Sequence, residues 1–171
     1  MKFIGSLVAV LVVGGFVAGT QGGEKGDRPL DKDFLIKVAT CNNAGIQISG
    51  LVNKRSESSP VKDFATMIVK DHKASGDQLT ELLKGRKLAI AAGFDKETKD
   101  EVKRLGKLKG NEFDQAYLQC MMKGHKEAIA IFENQAKNGQ EEDIRTYAKE
   151  SLPHLRKHLS KAEELAKTVQ K

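Results

Sequence analysis

Residues 61–83 constrain the fold more than any other stretch of the chain. Val61, Phe64, Ile68, His72, Ser75, Leu79 and Leu82 recur at steps of three and four. That spacing stacks them on one face of an α-helix. The face is apolar except near its middle, where His72 interrupts it. Three further stretches repeat the arrangement, each a long apolar stripe with polar, ligand-capable residues near its midpoint.

The first of these begins near Asp31, which has the chemistry of an N-cap. Phe34, Val38, Cys41, Gly45, Ile48, Val52 and Arg55 mark its inner stripe, and Asn42, Asn43 and Gln47 make its centre polar. It ends at Ser56-Glu57-Ser58-Ser59-Pro60. Ser59 is then the expected cap of the helix holding His72, with Pro60 at its first turn, where a missing N–H costs nothing. Gly85 is the natural stop of that helix. A long connection follows, with a short extra helix expected from about Asp95 to Gly106. The next long helix starts near Glu112 to Asp114 and carries Tyr117, Leu118, Met121, His125, Ala128, Phe132 and Ala136 on its stripe, ending at Asn138-Gly139. The last starts near Glu141 with Ile144, Ala148, Leu152, Leu155, Leu159, Ala162 and Leu165. Pro153 falls inside it and should remove one backbone hydrogen bond and kink the helix. Two short joins flanking one long join describe an all-α four-helix bundle with a single crossover.

The size agrees. With 171 residues, 39% hydrophobic and 30% charged, the chain can bury one core. The formal net charge is +6. Basic residues alternate with acids and aromatics are 5%, which argues against a nucleic-acid partner. Lys149, Arg156, Lys157, Lys161 and Lys167 of the last helix are interspersed with Glu150, Glu163 and Glu164. They read first as a solvated face. They also suit weak contact with an anionic envelope surface.

Met1 to Gly19 has the pattern of a secretory leader: Lys2, then an apolar run from Phe3 to Val17, then the small residues Val17-Ala18-Gly19. A retained N-terminal anchor is the alternative. Residues 20–30 read as a flexible linker and 31–168 as the helical domain. The expected address is extracytoplasmic.

At this point the chain resembles the bacterial domain of unknown function 4142 family. The resemblance rests on Val61-Lys62-Asp63-Phe64-Ala65 with Asp71-His72, on Phe113-Asp114-Gln115-Ala116-Tyr117 with His125, and on Leu152-Pro153-His154-Leu155 with His158-Leu159. It implies a ferritin-like fold and an exported protein, often labelled an outer-membrane protein. It implies no established reaction. Relatives commonly carry Glu in the first helix where this chain has Gln47, which would weaken cation binding there.

Helical rise makes the polar positions comparable. His72, His125 and His154 each lie about 20 Å into their helices and Gln47 about 24 Å, in rods of roughly 40 Å. A residue near the middle stays there whichever way its helix points, so these groups should share one level of the bundle. His154 and His158 stand four apart, on one helix face, a spacing able to chelate a metal. One reading is therefore a metal or small-ligand site built from His72, His125 and His158, with His154 and Gln47 nearby. The other is a hydrogen-bonded layer in which neutral histidines satisfy Gln47, Tyr117 or a carbonyl near Lys149. The absence of any Glu-x-x-His pair argues against the diiron chemistry of the fold. The layer is the favoured reading. No cofactor is expected, although the histidines leave room for a divalent metal. Cys41 and Cys120 fall at different heights in the crossover topology, which predicts two buried free thiols. The expected role is that of a non-catalytic binding or structural protein of the cell envelope. The alternative is a metal-binding protein using the histidine layer.

Overall fold

The computed structural model describes residues 29–86, 88 and 95–169. The expected leader and all but the last two residues of the expected linker lie outside them. In order, the helices are α1 (Pro29–Gly50), α2 (Val52–Arg55), α3 (Ser59–Leu83), α4 (Lys96–Leu105), α5 (Gly110–Asn138) and α6 (Glu142–Val169). The described residues contain no strand. The domain is a ferritin-like four-helix bundle of α1, α3, α5 and α6, with α4 in the crossover.

Side-chain pairs fix the directions. Phe34, early in α1, packs edge-on against Phe132, late in α5, with ring centroids 4.9 Å apart. Ser49, late in α1, shares a 2.9 Å hydrogen bond with Tyr117, early in α5. These two helices are therefore antiparallel. Phe64 and Tyr117 lie early in α3 and α5 and meet at 6.1 Å. Those two run parallel, so the chain between them must travel the length of the bundle. The remaining pairs follow: α6 packs mainly on α5, and α3 mainly on α1.

Local chemistry explains the ends. Asp95 caps α4 by accepting from the Thr98 N–H at 2.7 Å. Gly85 ends the turn after α3 at φ +74°, and Gly110 opens α5 at φ +55°, conformations that favour glycine. Pro153 lies inside α6, and the helix continues through it.

Asp31 corrects its expected role. It does not cap its own helix. Fully buried, its carboxylate accepts from Gln135 Nε2 at 2.5 Å, from the Gln140 N–H at 3.1 Å and from the Glu141 N–H at 3.0 Å. The α1 carboxylate thus satisfies amides that lead into α6, where the helix dipole also favours a negative charge.

The core is not continuous. One apolar cluster gathers Val52, Val61, Phe64, Ile68, Phe113, Tyr117 and Leu165. Another gathers Phe34, Leu35, Val38, Leu79, Phe132, Ile144 and Tyr147. The midpoint histidines lie between them in sequence on α3, α5 and α6.

Candidate metal centre

Three helices each carry one imidazole into this waist. His72 of α3 is 9% exposed, His125 of α5 5% and His158 of α6 2%. His72 and His158 are stacked, with centroids 5.9 Å apart. His125 stands edge-on to both, at 5.8 Å from His72 and 5.3 Å from His158. Taking one ring nitrogen from each, the three ligand atoms all lie within 4.8 Å of one another. The fourth long helix contributes by yielding space. A Cβ at Gly45 of α1 would stand 2.6 Å from two ring atoms of His72. Only glycine lets that ring lie flush against the α1 backbone.

The hydrogen bonds fix the tautomers. His125 Nδ1 lies 2.8 Å from the Met121 carbonyl, which can only accept, so Nδ1 carries the proton. In the neutral ring Nε2 is then a bare lone pair. His158 Nε2 lies 2.9 Å from Asp71 Oδ2, which as a carboxylate also only accepts. His158 Nδ1 is then bare as well. These two nitrogens face each other at 3.3 Å. With both rings neutral, no proton is left to join them. Neither ring nitrogen of His72 makes a hydrogen bond of ordinary geometry, although the Asn42 backbone beside it opposes the loss of its proton.

Burial keeps the rings neutral. It pushes the His72 imidazole down to about 3, with the His125 and His158 rings adding to the effect. Burial likewise lowers His125 to about 4, against the opposing bond to the Met121 carbonyl. His158 is also lowered by burial, although Asp71 opposes that shift. Neutral imidazoles are the form that ligates metals. The bonds from His125 to Met121 and from His158 to Asp71 are the outer contacts that commonly orient such ligands.

Of the two residues placed near the triad by their heights, Gln47 lies elsewhere and His154 stands nearby. Gln47 is exposed. It stands two residues after Gly45, about 200° further round the helix, so a matching height left it on the wrong side. His154 is exposed. It lines the same cavity, of about 800 Å³, but is not one of the converging group. The partners expected for a hydrogen-bonded layer are replaced too. Tyr117 bonds Ser49, and the rings use Met121 and Asp71. Asp71 and the Met121 carbonyl were not anticipated, although Asp71 adjoins His72 in the sequence. Asn42 is buried and donates to Ser75 Oγ, which is 2.6 Å from the Tyr147 hydroxyl.

Both cysteines are free and Cys120 is partly buried; Cys41 is exposed as a residue, against the expectation of two buried thiols, although its thiol lies in the cavity lining, where burial raises its pKa. Burial and the nearby Glu101 push the Cys120 thiol up to about 12, so it is not a ready nucleophile.

Several solved structures share this fold. A DUF305 fragment from Deinococcus radiodurans superposes with a TM-score of 0.73 at 15% identity, covering 82% of this chain and 97% of its own. A DUF305 protein from Streptomyces coelicolor, described as a candidate secreted protein, gives 0.71 at 15% identity, covering 82% and 94%. CopM in its Cu(I)-bound form gives 0.67 at 14% identity, covering 81% and 96%, and CopM is also solved with Cu(II) and with Ag bound. At these identities the likeness is one of fold. No curated protein matches the chain by sequence. The family model of the domain of unknown function DUF4142 matches residues 18–165, and the chain belongs to that family.

Proposed function

We propose that this protein binds a single transition-metal ion, copper first among them, between His72, His125 and His158. The observation that carries the reading is the 3.3 Å approach of His125 Nε2 to His158 Nδ1, which are both bare when the rings are neutral. Two lone pairs at that distance repel unless a cation lies between them. A proton is disfavoured, because burial lowers the affinity of both rings for one. A metal with nitrogen ligands at about 2.0–2.1 Å in tetrahedral geometry sets neighbouring nitrogens about 3.3–3.4 Å apart. One edge of the triad already has that spacing.

The ligand set supports the choice of ion. Three neutral imidazoles suit copper and zinc better than magnesium or calcium, which prefer oxygen. The Asp71 carboxylate, bonded to His158, offsets one positive charge. A monovalent Cu(I) would then leave the waist near neutrality, and burying net charge is costly. The fold shared with CopM is compatible with this reading. The leader pattern of Met1 to Gly19 supports an extracytoplasmic address, and no described helix is long and apolar enough to cross a membrane. The role is binding rather than catalysis.

The test is metal content. Protein purified without a histidine tag, then supplied with Cu(I) under reducing conditions, should hold about one ion per chain. His125→Ala should weaken binding by about 100-fold or more, beyond the loss seen for outer contacts. A wild-type protein that emerges metal-free from the same treatment contradicts the proposal.

A further inference from the structure

A buried triad needs a way in. Exposed and half-buried residues line the cavity that holds the three rings in two groups, here called its mouths. One, between α3 and α6, includes Asp71, Gln78, Glu150 and His154. The other, beneath α4, includes Cys41, Glu101 and Lys123. The two mouths differ in how they connect to the triad.

At the α3–α6 mouth, His154 and Asp71 are the ligand-capable groups next to the triad. His154 is exposed and stands one turn before His158, about 6 Å along the same helix. The Asp71 side chain is 28% exposed, and its Oδ2 lies 2.9 Å from His158 Nε2. One carboxylate thus touches both solvent and a triad ring. At the α4 mouth the lining also holds Asp95, Glu97, Glu127 and the Cys41 and Cys120 thiols; Glu101 is engaged by Arg104 through bonds of 2.8 and 2.6 Å, with Lys123 beside them. Among the described residues, no hydrogen bond joins a side chain of that mouth to a triad ring.

We propose that the metal enters and leaves through the α3–α6 mouth, with His154 and Asp71 as its first ligands on the way to His72, His125 and His158. This rests on the triad binding a metal. His154 is then a transfer residue rather than a resident ligand, which explains an imidazole lining the cavity without joining the converging group. A transfer ligand lowers the barrier for passage in both directions. Its loss must slow entry and exit by the same factor and leave the equilibrium unchanged.

The experiment uses the full chain and Cu(I) delivered from a chromophoric chelate, followed by rapid mixing. His154 is exposed, so His154→Ala should fold normally, and its melting curve verifies this. Loading and release should each slow by about three- to ten-fold, with affinity held within about twofold. Cys41→Ser, at the other mouth, should load at the wild-type rate. Unchanged kinetics in His154→Ala, or slowed loading in Cys41→Ser instead, overturns the inference. So does a loss of affinity in His154→Ala, which would make it a resident ligand. A wild-type chain that takes no Cu(I) from the chelate, however weak the chelate is made, fails the triad reading itself.

Discussion

Asp31 and the histidine waist are both buried polar groups, and they are finished differently. Asp31 accepts from one side chain and two backbone amides, and every donor it meets has a use for it. Among the described residues of that cluster, Gln135 Oε1 is left without a hydrogen bond. The waist instead leaves both nitrogens of His72 without a well-formed hydrogen bond and brings two further nitrogens, bare in the neutral rings, to 3.3 Å. A polar group kept for folding has its hydrogen bonds completed by the fold. One kept for a ligand leaves them open, at a cost in stability of the order of 1–3 kcal/mol for each buried group. The contrast separates a structural polar cluster from a binding one inside a single small bundle.

Removing the finished cluster should cost most. Asp31→Ala leaves a buried amide and two N–H groups without their charged acceptor, and should destabilise the fold by about 3 kcal/mol. For a domain of this size that is a fall of about 6–12 °C in Tm by circular dichroism. Metal affinity, corrected for the folded fraction, should be unchanged. A loss of binding there would dissolve the contrast.

Acid should act on the waist next most strongly. The His72 and His125 rings are held to about 3 and about 4, against an ordinary value near 6.5. Below about pH 6.5 the unfolded chain takes up protons that the folded chain refuses. The contribution of these rings is therefore fully retained above about 6.5 and lost as pH falls towards about 4. Denaturant titrations of the metal-free protein should show this as a slope of up to about 1.4 kcal/mol per pH unit per ring. His72→Leu should flatten that slope by roughly one ring's share.

Gly45→Ala tests the space beside His72. The added methyl would overlap the ring, so the ring must swing away. Stability should fall by about 1–2 kcal/mol. Metal affinity should fall more steeply, because one ligand is displaced. Parallel titrations of the apo and loaded forms measure both. The smallest effect has the opposite sign. His72→Leu removes two nitrogens that make no well-formed hydrogen bond and should stabilise the metal-free fold by up to about 1 kcal/mol at pH 7.5. A large destabilisation would mean that the ring is held by bonds the geometry does not contain.

Periodicity and loop length made the bundle legible. Stripes at steps of three and four specify rods, and two short joins around a long one specify the crossover. Height along a rod was legible too, because helical rise is fixed. Rotation about the rod was harder to read. Asn42 is buried while Cys41 is exposed, a difference of one residue that the polar centre of that stripe could not resolve. Gln47 was misplaced for the same reason. Asp31 was read as a local cap because its partners lie more than a hundred residues away, where no local pattern can point. The Asp71–His158 bond is likewise a tertiary fact: adjacency to His72 brings Asp71 to the right height but says nothing of which ring it meets.

The most direct measurement is the shift in Tm of the untagged protein on adding one equivalent of Cu(I), compared with that of His125→Ala. An ion bound only by the fold stabilises it, by about 2.7 kcal/mol when its free concentration is a hundred times Kd. The account predicts a clear rise for the wild type and almost none for the variant. Equal shifts in both proteins, or no shift in either, would contradict it.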